Sequence, residues 1–107
     1  MKWNTICPLN DIVPGTGVCA LVKSEHVAIF RPEKDEKLYA VSNIDPFAGA
    51  SVMSRGLIGE KSGEFYVASP LLKQRFLLAS GQCLEDEAVQ LADFEVRVHD
   101  GQVQVKA

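Results

Sequence analysis

Few side chains in this sequence have the types and spacing that chemistry demands. There are two histidines and three cysteines in 107 residues. His26 opens a run of strand-forming residues (26–30), and His99 lies on the polar side of an alternating segment, so each imidazole is expected at a surface or strand edge. No Gly-x-Ser-x-Gly or comparable signature nominates a nucleophile beside either one, and no catalytic residue is expected. Cys7, Cys19 and Cys83 are odd in number, far apart and free of any Cys-x-x-Cys spacing. That predicts buried or incidental thiols rather than a disulfide framework or a zinc site. Gly15 and Gly17 lack the third glycine and following helix of a dinucleotide fingerprint, and the Gly-Lys-Ser of a phosphate loop, which leaves a strand-joining turn. Glu85, Asp86 and Glu87 lack the alternating oxygen spacing of a calcium loop and read as a solvated charge cluster.

The elements that position these residues are short strands. Residues 18–22, 26–30, 38–42, 65–69 and 75–79 are β-branched or aromatic runs bounded by turn chemistry. Phe94, Val96 and Val98 alternate with Glu95, Arg97 and His99. Asp100-Gly101 then turns the chain into Val103 and Val105, which predicts a hairpin with one buried face. Further turns are expected at 13–17, 32–37, Lys61-Ser62-Gly63 and Ser80-Gly81. Asp86 to Ala92 and Asp11 to Val13 have room for a helical turn or two, and no segment has the length of an independent amphipathic helix. Seven or eight short strands predict an all-β fold, an antiparallel β-sandwich or barrel with short loops and little helix, as a single domain over residues 1–107.

Size and charge exclude whole classes of function. A chain of this length has room for one core and a folded surface of roughly 5,900 Å², enough to be stable without metal or disulfides. Eleven basic against fourteen acidic residues give a net charge of −3, with no counterion-release term for nucleic acid and no polybasic patch for a membrane surface. No apolar run approaches the ~18 residues of a membrane span. The first eleven residues lack the apolar stretch of a signal peptide, so the expected location is the cytoplasm.

Two segments carry more specific information. The first runs Ala40-Val-Ser-Asn-Ile-Asp-Pro-Phe-Ala-Gly-Ala50, followed by Leu57 and Gly59. The second runs Val67-Ala-Ser-Pro-Leu-Leu-Lys-Gln-Arg-Phe76, followed by Ser80-Gly81-Gln82-Cys83. Their order and phrasing resemble a Rieske iron–sulfur domain from Leu38 to Val105. In that family the first loop reads Cys-Pro-His and the second Cys-Pro-x-His. The resemblance places the two cysteine ligands at Asp45 and Ser69 and the two histidine ligands at Phe47 and Leu72. Thiolates and imidazoles hold such a cluster. Phenylalanine and leucine offer no lone pair, and the oxygens of Asp45 and Ser69 are hard donors in place of soft ones. No metal or cofactor is therefore expected in this chain.

The stretches SNIDPF, SRGLI, VASPLLKQRF and CLEDE, with the opening Trp3 to Cys7 and the pair spanning Val18 to Phe30, are similar to the small subunits of NADH-dependent assimilatory nitrite reductases. That resemblance implies an accessory, non-catalytic chain in an enzyme that reduces nitrite to ammonium. Its partner would be the large subunit, carrying FAD, an iron–sulfur cluster and siroheme. The tip of the two loops would then present Phe47, Leu71 and Leu72 beside Arg55, Lys73 and Arg75, a composition suited to docking. Phe47 and Leu72 can alternatively fill the space left by the missing cluster. A stand-alone Rieske-type electron-transfer ferredoxin, and a Rieske-like binding module with an unrelated partner, are the competing readings.

Overall fold

The computed structural model describes all of residues 1–107, as ten antiparallel strands in three sheets. The strands are β1 (Trp3–Pro8), β2 (Thr16–Val22), β3 (Glu25–Arg31), β4 (Tyr39–Ser42), β5 (Leu57–Lys61), β6 (Glu64–Ala68), β7 (Arg75–Leu77), β8 (Asp93–Phe94), β9 (Val96–His99) and β10 (Gln102–Lys106). The central sheet has the order β2-β3-β4-β8. One outer sheet is β1-β10-β9, and the other is β5-β6-β7.

The side-chain alternation of β3 makes the central sheet central. Val27 and Ile29 point into a core shared with Ile12, Val103 and Val105. Ala28 and Phe30 point the opposite way, into a second core with Met53, Val67 and Phe76. Residues 27–30 are consequently buried whichever face they point to, which explains a continuous apolar run in place of a polar and apolar alternation.

Three hairpins close through two-residue turns at Lys23-Ser24, Ser62-Gly63 and Asp100-Gly101. All six residues have positive φ, the conformation that matches the right-handed twist of the flanking strands. The predicted Asp-Gly hairpin of β9 and β10 is present, with Val98 opposite Val103 and Val96 opposite Val105.

The structure corrects the sequence-based expectations in four places. The 94–98 run is two strands: Phe94 pairs with Ala40 in the central sheet, and the chain changes sheet at Glu95 before Val96 joins β10. Residues 86–92 make a single hydrogen-bonded turn, Val89 N–H to Asp86 O, and no helix. They are held in an irregular strap by Cys83 N–H to Val89 O and Leu91 N–H to Gly81 O. The turn expected at Asp11–Val13 lies slightly earlier, as a 3-10 turn over Leu9–Asp11. Strands β1 and β5 are additional. β1 is interrupted by a bulge between Thr5 and Cys7, and β5 carries Gly59, Glu60 and Lys61, so neither shows a clean strand period.

Candidate functional site

Both loops singled out in the sequence emerge at the same end of the fold. The first follows β4 and is organised by Asn43, which is 2% exposed. Its carbonyl accepts from the N–H groups of Val52 and Met53, its Oδ1 accepts from Ser54 N–H at 2.6 Å, and its Nδ2 donates to Ser51 Oγ at 2.8 Å. One asparagine thereby closes the loop onto its own base. The second follows β6 and is a tight turn: Ser69 N–H donates to Gln74 O, and Lys73 N–H to Ser69 O. Lys73 adopts φ +69° to make it.

Asp45 and Ser69 meet in the interior between the loops. Both are fully buried, and Ser69 Oγ donates a short hydrogen bond to Asp45 Oδ2. Asp45 Oδ1 accepts from Phe47 N–H at 2.8 Å and Ala48 N–H at 3.3 Å, and Ser69 Oγ accepts from Leu71 N–H at 3.3 Å. Every acceptor in this pair is used inside the protein, as buried polar groups require.

The apolar residues of the tip divide differently. The Phe47 ring lies against Phe76, with centroids 6.2 Å apart and planes at 45°, yet Phe47 is still 38% exposed. Leu72 is 54% exposed, more than a core residue tolerates. The interior beneath the loops is thus occupied by the Asp45–Ser69 pair, and Leu72 takes no part in filling it.

Sequence reasoning missed Ile44 and Leu57, both exposed large apolar residues. Leu57 stands opposite Ala68, immediately before Ser69, and so flanks the second loop. The Ser62-Gly63 turn was the available signal for β5, since a two-residue turn demands a strand on each side.

Of the three basic residues expected at the tip, Arg55 and Lys73 are exposed, whereas Arg75 is engaged. Arg75 Nε donates to Glu85 Oε2 at 2.6 Å, Arg75 N–H donates to Glu85 Oε1 at 2.6 Å, and the guanidinium lies 5.5 Å from the Tyr66 ring centroid. The Glu85 hydrogen bond, set against a smaller opposing effect of burial, holds the arginine pKa above its ordinary value. Partial burial pushes the Glu85 carboxyl up, but the hydrogen bonds and charge of Arg75 outweigh it and hold that carboxyl below its usual range.

Comparison with known proteins places this arrangement. Residues 2–106 match the model of the Rieske-like [2Fe-2S] domain family. The nitrite reductase (NADH) small subunit of Salmonella typhimurium is 56% identical over 105 residues, covering 98% of this chain and 97% of that protein. The chain belongs to the Rieske-like [2Fe-2S] domain family and, within it, to the nitrite reductase (NADH) small subunits. The solution structure of the Escherichia coli protein NirD superposes with a TM-score of 0.93 at 55% identity, covering 99% of this chain and 96% of that one. A stretch of the nitrite reductase [NAD(P)H] large subunit of Klebsiella oxytoca is 36% identical over 103 residues, 96% of this chain and 11% of that protein.

Membership of a Rieske-like family raises the question of a [2Fe-2S] cluster, and the residues present do not fit one. Such a cluster takes two thiolates and two imidazoles. The loops offer a carboxylate and a hydroxyl already bound to each other and to backbone N–H groups, with Phe47 and Leu72 at the remaining positions. No three His, Cys, Asp or Glu side chains converge anywhere in the chain. The fold is all-β, and no helix of this chain is long and apolar enough to cross a membrane.

Proposed function

We propose that this chain is the accessory small subunit of an NADH-dependent nitrite reductase, itself non-catalytic, and that it docks through its loop tip on a large subunit carrying FAD, an iron–sulfur cluster and siroheme. The complex would reduce nitrite to ammonium in the cytoplasm. The observation that carries this reading is the Klebsiella oxytoca large subunit, in which a homologous stretch covering nearly all of this chain belongs to the same polypeptide.

The chemistry of the tip supports the docking surface. Five of the eight exposed large apolar residues, Ile44, Phe47, Leu57, Leu71 and Leu72, lie in or beside the two loops. Across residues 43–56 and 69–75 the only acidic residue is the buried Asp45, while Arg55 and Lys73 are exposed, in a chain of net charge −3. The complementary partner surface is an apolar pocket rimmed by acidic side chains.

Titrating the isolated chain into the cofactor-loaded large subunit tests the proposal, alongside the double substitution Phe47→Ser with Leu72→Ser. The expected result is a weakening of about 100-fold, as loss of two apolar anchors entails, with the fall in melting temperature of the isolated domain confined to the modest loss of the Phe47–Phe76 contact. A collapse of melting temperature would instead make these residues core fillers, and undiminished binding would remove the tip from the interface. Stoichiometric iron with the absorbance of a cluster in anaerobically purified protein would overturn the cluster-free reading in favour of a ferredoxin.

A further inference from the structure

We propose that Asp45 and Ser69 are positioning residues of the docking tip, whose buried hydrogen bond fixes the two loops relative to one another and sets where Phe47 and Leu71 stand. This inference rests on the docking role proposed above. The loops belong to different sheets, one leaving β4 of the central sheet and the other β6 of an outer sheet. The backbone hydrogen bonds in each loop stay within that loop or its base: Asp45 N–H to Ala50 O and Gly49 N–H to Asp45 O in the first, Ser69 N–H to Gln74 O and Lys73 N–H to Ser69 O in the second. The bond from Ser69 Oγ to Asp45 Oδ2 is the one hydrogen bond that joins them.

Each member of the pair also holds the backbone N–H of the apolar residue two positions ahead, Asp45 that of Phe47 and Ser69 that of Leu71. The two halves of the tip are therefore built alike, with a small polar residue buried at the root and an exposed apolar residue two positions on. In a site sealed from water, any other arrangement of the loops leaves a carboxylate or a hydroxyl unpaired, so the pair selects one arrangement. Loops already ordered in their bound form lose less entropy on association, and affinity gains accordingly.

A reciprocal exchange separates this role from mere stability. Ser69→Asp alone brings two carboxylates into one buried site, whereas Ser69→Asp combined with Asp45→Ser restores one acid and one hydroxyl, both residue types able to hold an N–H two positions on. Affinity for the cofactor-loaded large subunit is measured at a temperature where circular dichroism shows every variant folded, together with the amide chemical shifts of Phe47 and Leu71. Ser69→Asp is expected to weaken binding about tenfold or more. The exchange is expected to return it to within about threefold of the parent and to restore both amide shifts. If Ser69→Asp does not fold, Ser69→Ala serves, with an expected loss of about tenfold. Parent-like affinity for the Ser69 variants, or no recovery in the exchange, overturns the positioning role. It would leave docking itself intact provided the Phe47→Ser, Leu72→Ser protein still binds poorly, and if that protein also binds normally both readings fall.

Discussion

Asp45 and Ser69 illustrate how little a single side chain means apart from its neighbours, since each would be a costly buried polar group without the other. The same dependence governs the cysteines. Cys19 is exposed on β2, Cys83 is 2% exposed in the second core, and the partly buried Cys7 has its thiol pushed up, first by burial and then by the charge of Asp11. Thiolate supply and access together set reactivity. Under native conditions a disulfide reagent at pH 8 is expected to modify Cys19 first, Cys7 slowly, and Cys83 only after denaturant is added; early loss of the Cys83 thiol would contradict this order. Glu85 has a depressed pKa, so its ion pair with Arg75 contributes stability above the ordinary carboxylate value of 4.5, and that contribution is lost as pH falls through the folded value. Both side chains are more than a third exposed, which keeps the effect small. Melting curves of the parent and Glu85→Gln should differ near pH 7 and converge on acidification toward pH 3; a constant gap would place the effect elsewhere.

At the level of elements, the strap from Ser80 to Ala92 decides whether the second core is closed. Gly81 has φ +80°, its carbonyl accepts from Leu91 N–H at 2.8 Å, and a Cβ built on it would stand 2.1 Å from Leu91 O. That contact is with backbone and cannot be relieved by a rotamer change. Gly81→Ala is therefore expected to cost about 3 kcal/mol or more, the strain of the left-handed conformation adding to the clash. Urea unfolding of the variant measures it, and a cost below about 1 kcal/mol would mean that the strap relaxes freely. Gly63 shares the positive φ but meets no atom within 4 Å, so alanine there tests conformation alone.

Across the whole molecule, two cores lie on opposite faces of one central sheet, and β3 contributes to both. Neither outer sheet can leave without exposing that strand, so a single cooperative transition is expected. Two natural reporters test it. Trp3, the one tryptophan, sits on β1 under Arg97 with the guanidinium 4.1 Å from the ring centroid, and Tyr66 sits on β6 in the opposite outer sheet. Denaturation followed by tryptophan fluorescence and by a tyrosine resonance of Tyr66 should give the same midpoint; separate midpoints would show the β5-β6-β7 sheet unfolding alone. The accessible surface of 5981 Å² also bounds function, since a typical ~800 Å² footprint of one partner would cover about a seventh of it.

Much of this was legible in the amino-acid order. Turn residues and strand-forming runs specified an all-β antiparallel fold, and Asp100-Gly101 specified its terminal hairpin, because local conformation is a property of the residues themselves. The Rieske-like scaffold was legible only as a resemblance of the phrasing around Asp45 and Ser69 to that family, while the poor match of Asp45, Phe47, Ser69 and Leu72 to cluster ligation followed from their donor chemistry. Long-range pairing was not legible. That Phe94 belongs to a different sheet from Val96, that Arg75 is already bound to Glu85, and that Asp45 meets Ser69 across 24 positions depend on how the chain closes on itself. The reason is physical: strand period and turn type are set within a few residues, whereas the burial that turns an aspartate and a serine into a latch exists only once two sheets have packed around them.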